Sequence, residues 1–232
     1  MSEKDFSKLE KLLDVKFKSI DLLRQAMTHR SYLNEHPDFE LEHNERLEFL
    51  GDAVLEIVVT EHLYKNYNNP EGELTNWRAA LVNAHMLSTV AHETGIEDFL
   101  YLSRGEQKDD HSKARLYILA NAVEALIGAI YLDQGTKVIE KFIKKFILHK
   151  LPTIIEEKLY LDPKSRFQEI SQDQFGATPN YKVLSESGPD HEKKFRVGVF
   201  IEEDMIAVGE GTSKQEAQIE AAKAGLEEKG WA

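Results

Sequence analysis

Among its 232 residues the chain has no cysteine, which excludes disulfides and thiolate-bound zinc and suits a reducing compartment. Long apolar runs are scarce as well. No segment is expected to reach the length of a membrane span, and the opening M-S-E-K-D-F-S-K lacks the apolar core of a signal peptide. A cytoplasmic protein with no membrane partner is the expectation. Positive charge is short too: 29 Lys and Arg face 41 Asp and Glu, for a net charge of −12. From Asp162 onward, nine basic residues meet fourteen acidic ones. Composition alone therefore speaks against nucleic acid, whose phosphates are held largely by Lys and Arg. Only local clusters offset it, Lys193 with Lys194 and Arg196, and Lys214 with Lys223. What is present is globular, 41% apolar and 30% charged, and long enough for one large or two modest domains with their own cores.

The stretch from Asn44 to Val59 reads N-E-R-L-E-F-L-G-D-A-V-L-E-I-V-V. Wound as an α-helix at about 100° per residue, it gathers Glu45, Glu48 and Asp52 into a sector of roughly 60°. Leu47, Leu50, Val54, Ile57 and Val58 fall on the opposite side, the stripe a helix buries. Phe49 breaks the pattern, standing about 40° from Glu45 among the carboxylates. A ring exposed there points to a pocket or a partner surface. Taken alone, the acidic sector reads first as the solvated face of an amphipathic helix, since such faces are common.

A second stretch changes that balance. Leu116 to Leu132, L-Y-I-L-A-N-A-V-E-A-L-I-G-A-I-Y-L, has Asn121 and Glu124 as its only strongly polar side chains. A helix apolar on nearly all sides is buried, and a buried carboxylate is costly unless paired or bound to a metal. Asn121 and Glu124, three apart, project together. Packed face to face, the two helices would gather Glu48, Asp52, Asn121 and Glu124 around a hard divalent cation, Mg²⁺ or Mn²⁺.

The rest of the first 158 residues shows helical spacing: 5–14, 19–28, a helix running through Trp77, Leu81, Leu87 and Val90 to Gly95, and one from Thr136 to about Lys158. Residues 31–43 and 103–111 read as loops, and N-N-P-E-G at Asn68 to Gly72 is turn chemistry. Residues 159–162 form a linker. Pro163 then opens a short helix stopped by Gly176. Strands are expected at 180–187, 193–201 and 205–209, the second alternating Phe195, Val197, Val199 and Ile201 with Arg196, Gly198 and Phe200. A last helix from Ser213 lines Ala217, Ala221 and Ala224 along one stripe. The fold class is thus an all-α domain, 1–158, followed by a small α+β domain, 163–232, of order α-β-β-β-α.

N-E-R-L-E-F-L-G-D closely resembles the signature nonapeptide of the ribonuclease III family, and A-N-A-V-E-A-L-I-G-A-I-Y-L-D its second acidic motif. T-H-R-S-Y at Thr28 to Tyr32, P-E-G-E-L-T at Pro70 to Thr75 and the C-terminal third, which resembles a double-stranded RNA-binding domain, also fit. The resemblance implies a homodimeric, Mg²⁺-dependent endonuclease for double-stranded RNA that processes rRNA and mRNA precursors without a small-molecule cofactor. Products would carry 5′ phosphates, 3′ hydroxyls and short 3′ overhangs. It assigns Glu48, Asp52, Glu124 and position 121 to the metal and catalytic set, with Glu45 and Glu71 as assisting acids. Phe49 would plug into the neighbouring subunit. From residue type alone, Glu71 reads as well as an acidic turn residue after proline.

By the same resemblance Gln168 and Glu169 on the first helix would face a minor groove, and His191 in G-P-D-H would enter the next. Lys214, at the start of the last helix, would meet phosphates together with Lys193, reading shape rather than sequence. Without the fold, Lys214 is a surface lysine at a helix start. This chain departs from the family pattern at Asn121, where aspartate is usual. An amide oxygen can ligate a cation but brings no charge, so metal affinity is expected to fall. A catalytically weakened double-stranded RNA-binding protein is the alternative. A third class, a di-iron bundle built on Glu40-x-x-His43, needs a second copy on a paired helix, and the buried helix offers none.

Overall fold

A computed structural model of the chain describes residues 4–108, 112–189 and 193–231. They fall into two compact units, Met1–Tyr160 and Leu161–Ala232.

The larger unit is helical: α1 (Phe6–Leu13), α2 (Ile20–Ala26), α3 (Arg30–Glu35), α4 (Glu45–Asn66), α5 (Glu71–Val82), α6 (Ala84–Thr94), α7 (Lys113–Gln134), α8 (Thr136–Phe146) and α9 (Leu151–Glu156). Three boundaries differ from the sequence reading. The polar stretch after Thr28 contains α3. The helix through Trp77 and Val90 is two helices, because Asn83 takes an extended backbone and its Oδ1 accepts the Met86 N–H at 2.9 Å, capping α6. The helix from Thr136 breaks at Ile147, and Pro152, which has no N–H to give, sits in the first turn of α9.

α4 and α7 cross in the most extensive contact of this unit. Ile118, Leu119, Val123, Leu126, Ile127 and Ile130 of α7 are buried. Contrary to the sequence expectation, α7 at 22 residues is long and apolar enough to cross a membrane by length and composition. Most of that stretch is instead buried inside the unit, as expected of a helix that is apolar all round. On α4, Leu47, Val54, Leu55, Val58, Val59 and Leu63 face the core, but Ile57 is 64% exposed. The buried stripe is therefore rotated away from Ile57. Two glycines set the helix separation. A Cβ on Gly51 would stand 1.7 Å from the Glu124 carbonyl oxygen, and one on Gly128 would stand 2.2 Å from that of Leu47. Backbone meets backbone there.

In the smaller unit, Asp162 caps α10 (Pro163–Phe175) by accepting the Ser165 N–H at 2.9 Å, and Gly176 ends it in the left-handed region. Strands β1 (Asn180–Ser187), β2 (Lys194–Ile201) and β3 (Asp204–Gly211) form an antiparallel sheet in sequence order, and α11 (Lys214–Glu228) returns to pack with α10. Phe167, Val199, Ile201, Ala221, Ala222 and Leu226 make the core. Ala224 is only half-buried, and Ala222 and Gly225 take its place in the packed stripe.

Replacing Gly51 by alanine is expected to cost about 3 kcal/mol or more, because the new methyl collides with backbone that cannot swing aside. Gly72→Ala meets nothing within 4 Å and is expected to change stability by less than about 1 kcal/mol. Denaturant midpoints of the two variants check the contrast, and equal midpoints would refute the close approach.

Candidate active site and nucleic-acid interface

The close crossing of α4 and α7 brings their polar residues together. Glu45 and Glu48 lie in the first turn of α4, where the helix dipole favours negative charge, and Asp52 follows one turn later. Asn121 and Glu124 project from the facing part of α7 and are half-buried in an otherwise apolar helix. Burial raises the Glu48 carboxyl, the Glu45 and Asp52 charges add to that, and a hydrogen bond from the Asn121 side chain pulls the other way. Glu124 is pushed up to about 7, first by burial and then by Asp52 and Glu48. No basic side chain contributes to either shift. At the cluster's outer edge Glu45 does meet other side chains, the Arg30 guanidinium at 3.4 Å and the His43 ring at 3.8 Å.

Among the described residues no three His, Asp or Glu side chains are drawn tightly enough together to hold one ion directly. The donor set nevertheless suits a hard divalent cation: three carboxylates and one amide, all oxygen ligands, with repulsion among the carboxylates that a cation would relieve. Among the described residues no group of His and carboxylate side chains that could hold iron forms around Glu40 and His43.

Glu71 is not brought to this cluster. It opens α5 beyond the far end of α4, whose 22 residues span about 30 Å, and its Oε1 accepts the Thr75 hydroxyl at 2.9 Å. Its neighbourhood is a separate cavity of about 750 Å³ lined also by Leu63, Tyr64, Tyr67, Leu74 and Arg78. Phe49 is 82% exposed, at the rim of a groove of about 690 Å³ lined by Leu22, Leu47, Leu50 and Leu132. Ile57 and Tyr64 are also exposed and fall with Phe49 within about 80° of α4, beside the acidic sector. Sequence reasoning found the ring but missed this face, having placed Ile57 inside. It also missed Gly51 and Gly128, although a glycine inside each long helix, a costly choice, was a visible signal.

In the smaller unit Gln168 and Glu169 are exposed on α10. Lys193 and Lys214 converge, both on the Glu186 carboxylate, at 3.4 and 3.1 Å. His191 lies outside the described residues. Glu186 went unnoticed in the sequence because nothing local relates it to lysines 7 and 28 positions away.

Comparison with known proteins agrees with this division. A family model described as Ribonuclease-III-like matches residues 19–151, and one described as Double-stranded RNA binding motif matches residues 163–229. The chain is 42% identical over 228 residues to the Ribonuclease 3 of Carboxydothermus hydrogenoformans, covering 98% of this chain and 97% of that one. It is 43% identical over 225 residues to the Ribonuclease 3 of Magnetococcus marinus, covering 95% and 91%. The solved nuclease domain of ribonuclease III from Campylobacter jejuni, described as flexible in a region involved in dimer formation, is 37% identical. It superposes with a TM-score of 0.55, covering 64% of this chain and 99% of that one. A helical nuclease unit with a carboxylate cluster, followed by a double-stranded RNA-binding unit, defines the class as an endoribonuclease of duplex RNA. The chain belongs to the ribonuclease III family.

With the Glu124 midpoint above its usual 4.5, the folded protein holds that proton more tightly than the unfolded chain does. The stabilisation is fully present below about 4.5 and is lost as the pH rises through 7. The stability of the metal-free wild type relative to Glu124→Gln is therefore expected to fall across that window, and Asp52→Asn is expected to lower the midpoint. Carboxyl NMR titration reads both, and a Glu124 midpoint near 4.5 would refute the clustering.

Proposed function

We propose that the chain is a homodimeric, divalent-metal-dependent endonuclease that hydrolyses duplex RNA at the α4–α7 cluster. The observation that carries this is the close crossing of α4 and α7 at Gly51 and Gly128, which sets Glu124 beside Asp52 and Glu48, whose charges add to burial in raising its carboxyl. Glu48, Asp52, Asn121 and Glu124 would hold Mg²⁺, for which Mn²⁺ can substitute. When bound, such an ion supplies an activated water and stabilises charge on the reacting phosphate. Glu124, near 7, exchanges its proton at neutral pH. Asn121, whose amide lowers the neighbouring Glu48 carboxyl, would offer its oxygen to the ion. Glu45, tied to Arg30 and His43, borders the cluster and meets the RNA at its edge.

Catalytic roles are assigned to Glu45, Glu48, Asp52 and Glu124. Glu71 can join them only from a second copy of the chain, because α4 separates it from the cluster within one copy. Two copies meeting through the face of Phe49, Ile57 and Tyr64 would seat each ring in the other's groove and place two acidic clusters on one duplex, one per strand. Products then carry 5′ phosphates and 3′ hydroxyls with short 3′ overhangs, and the substrates are duplex stretches of rRNA and mRNA precursors. The domains are 1–158 and 163–232, joined by 159–162. In the second, Gln168 and Glu169, His191, and Lys193 with Lys214 would contact successive grooves and phosphates of the duplex.

A second reading rests on Asn121. With one neutral ligand in the set, cation affinity falls, and the chain becomes a duplex-RNA binder with weak cleavage.

Cleavage of long duplex RNA across a Mg²⁺ titration separates these readings. We expect cutting at high Mg²⁺, and Asn121→Asp to reach half-maximal rate at roughly tenfold less ion, from one added charge in the set. No cleavage by either protein at any Mg²⁺ or Mn²⁺ concentration would refute the enzyme. Phe49→Ala is expected to weaken self-association by about tenfold or more, the loss of a buried aromatic anchor. Sedimentation that shows an equally tight dimer would refute the interface.

A further inference from the structure

Several cations of the smaller unit, Lys193, Arg196, Lys214 and Lys223, already meet its own carboxylates. Lys214, first residue of α11, reaches Glu186 Oε1 at 3.1 Å, and Lys193, just before β2, reaches Oε2 at 3.4 Å. The Phe195 ring lies beneath both ammonium groups, 5.6 and 5.9 Å from its centre. Phe195 is also the cross-strand partner of Glu186. Strand register and the start of α11 thus bring one carboxylate, one ring and two lysines into a single patch.

Among the described residues, Arg196 pairs with Glu210 at 3.8 Å and Lys223 with Glu220 at 2.7 Å. At Glu186 each oxygen takes a different lysine. Nearby, the Glu216 carboxylate accepts the Thr212 N–H at 2.9 Å and its hydroxyl, so a second negative group stands where a phosphate would approach the N-terminus of α11. The hydrogen bond from Lys214, with Lys193 behind it, draws the Glu186 carboxyl below its ordinary range, and it stays charged through neutral and mildly acid pH.

We propose that Glu186 is a built-in competitor for the RNA backbone: its carboxylate occupies the place between Lys193 and Lys214 that a phosphate would take. A carboxylate and a phosphate present similar oxyanion edges to an ammonium group, so duplex RNA must displace Glu186 or share the lysines with it. Displacement is feasible because exposed ion pairs hold weakly in water. The consequence is a binding unit tuned to loose attachment and ready release. The proposal rests on the RNA-binding reading of this unit.

The test uses the full chain with duplex RNA in EDTA, which prevents cleavage, and follows the dissociation constant against salt. Glu186→Gln is expected to bind about three- to tenfold tighter near 0.1 M salt, with a log–log salt slope steeper by about one, since one more phosphate contact releases counterions. Glu203→Gln makes the same charge change in the β2–β3 turn, roughly 25 Å away along the strand, and is expected to shift binding less than twofold. Unchanged or weaker binding by Glu186→Gln would overturn the proposal, as would an equal gain in Glu203→Gln. A wild-type chain that fails to bind duplex RNA at low salt would overturn the underlying reading and this one together.

Discussion

The backbone contact between α4 and α7 at Gly51 and Gly128 is the constraint on which the rest of the larger unit depends. With a Cβ on Gly51 the Glu124 carbonyl would have to retreat, and with it the Cα that carries the Glu124 side chain. Both helices are 22 residues long and make their widest contact with each other, so a change in their separation at the crossing is transmitted along both. The glycines lower intrinsic helix stability, a cost the packing of the surrounding Leu, Val and Ile side chains offsets. They lie one and four residues from Asp52 and Glu124, so the close approach falls where the carboxylates must meet.

That approach concentrates like charge. Glu48 and Glu124 are each raised first by burial and then by their acidic neighbours, a conflict that packing alone does not resolve. Folding accepts it because the apolar remainder of α7 holds the helix in place whatever its two polar side chains prefer. Unsatisfied charge held on a rigid scaffold is what a cation site requires before its ion arrives. The smaller unit shows the opposite condition. There the lysines of the patch are met by Glu186, and attraction for a polyanion is moderated within the unit itself. Such moderation fits a chain whose net charge is −12.

The exposed face of α4 follows from the same geometry. With α7 fixing which side of α4 is buried, Phe49, Ile57 and Tyr64 are left outward, next to the carboxylates. Apolar area beside a charged cluster is stable in water only as a modest patch, and three large side chains on one helix exceed what scattered exposure explains. On the proposed reading an interface and a reactive cleft share this one helix, which makes assembly and chemistry interdependent.

Much was legible in the linear chain because it is local. Helical period marked α4 and α7, strand alternation marked β2, and proline and glycine marked both ends of α10. The Glu45, Glu48 and Asp52 sector, and Asn121 paired with Glu124, follow from 3.6 residues per turn alone. Boundaries fared worse where a single residue decides: Asn83 and Ile147 interrupt patterns that continue smoothly in hydrophobicity. What only the tertiary structure decided is non-local. Ile57 lies outside and Ala222 inside because helix rotation is chosen by the partner element, not by the helix. Glu71 lies remote because a rigid helix stands between it and the cluster. Glu186 joins Lys193 and Lys214 through strand register and the return of α11, and no spacing in the sequence encodes a distance that two strands and a turn create.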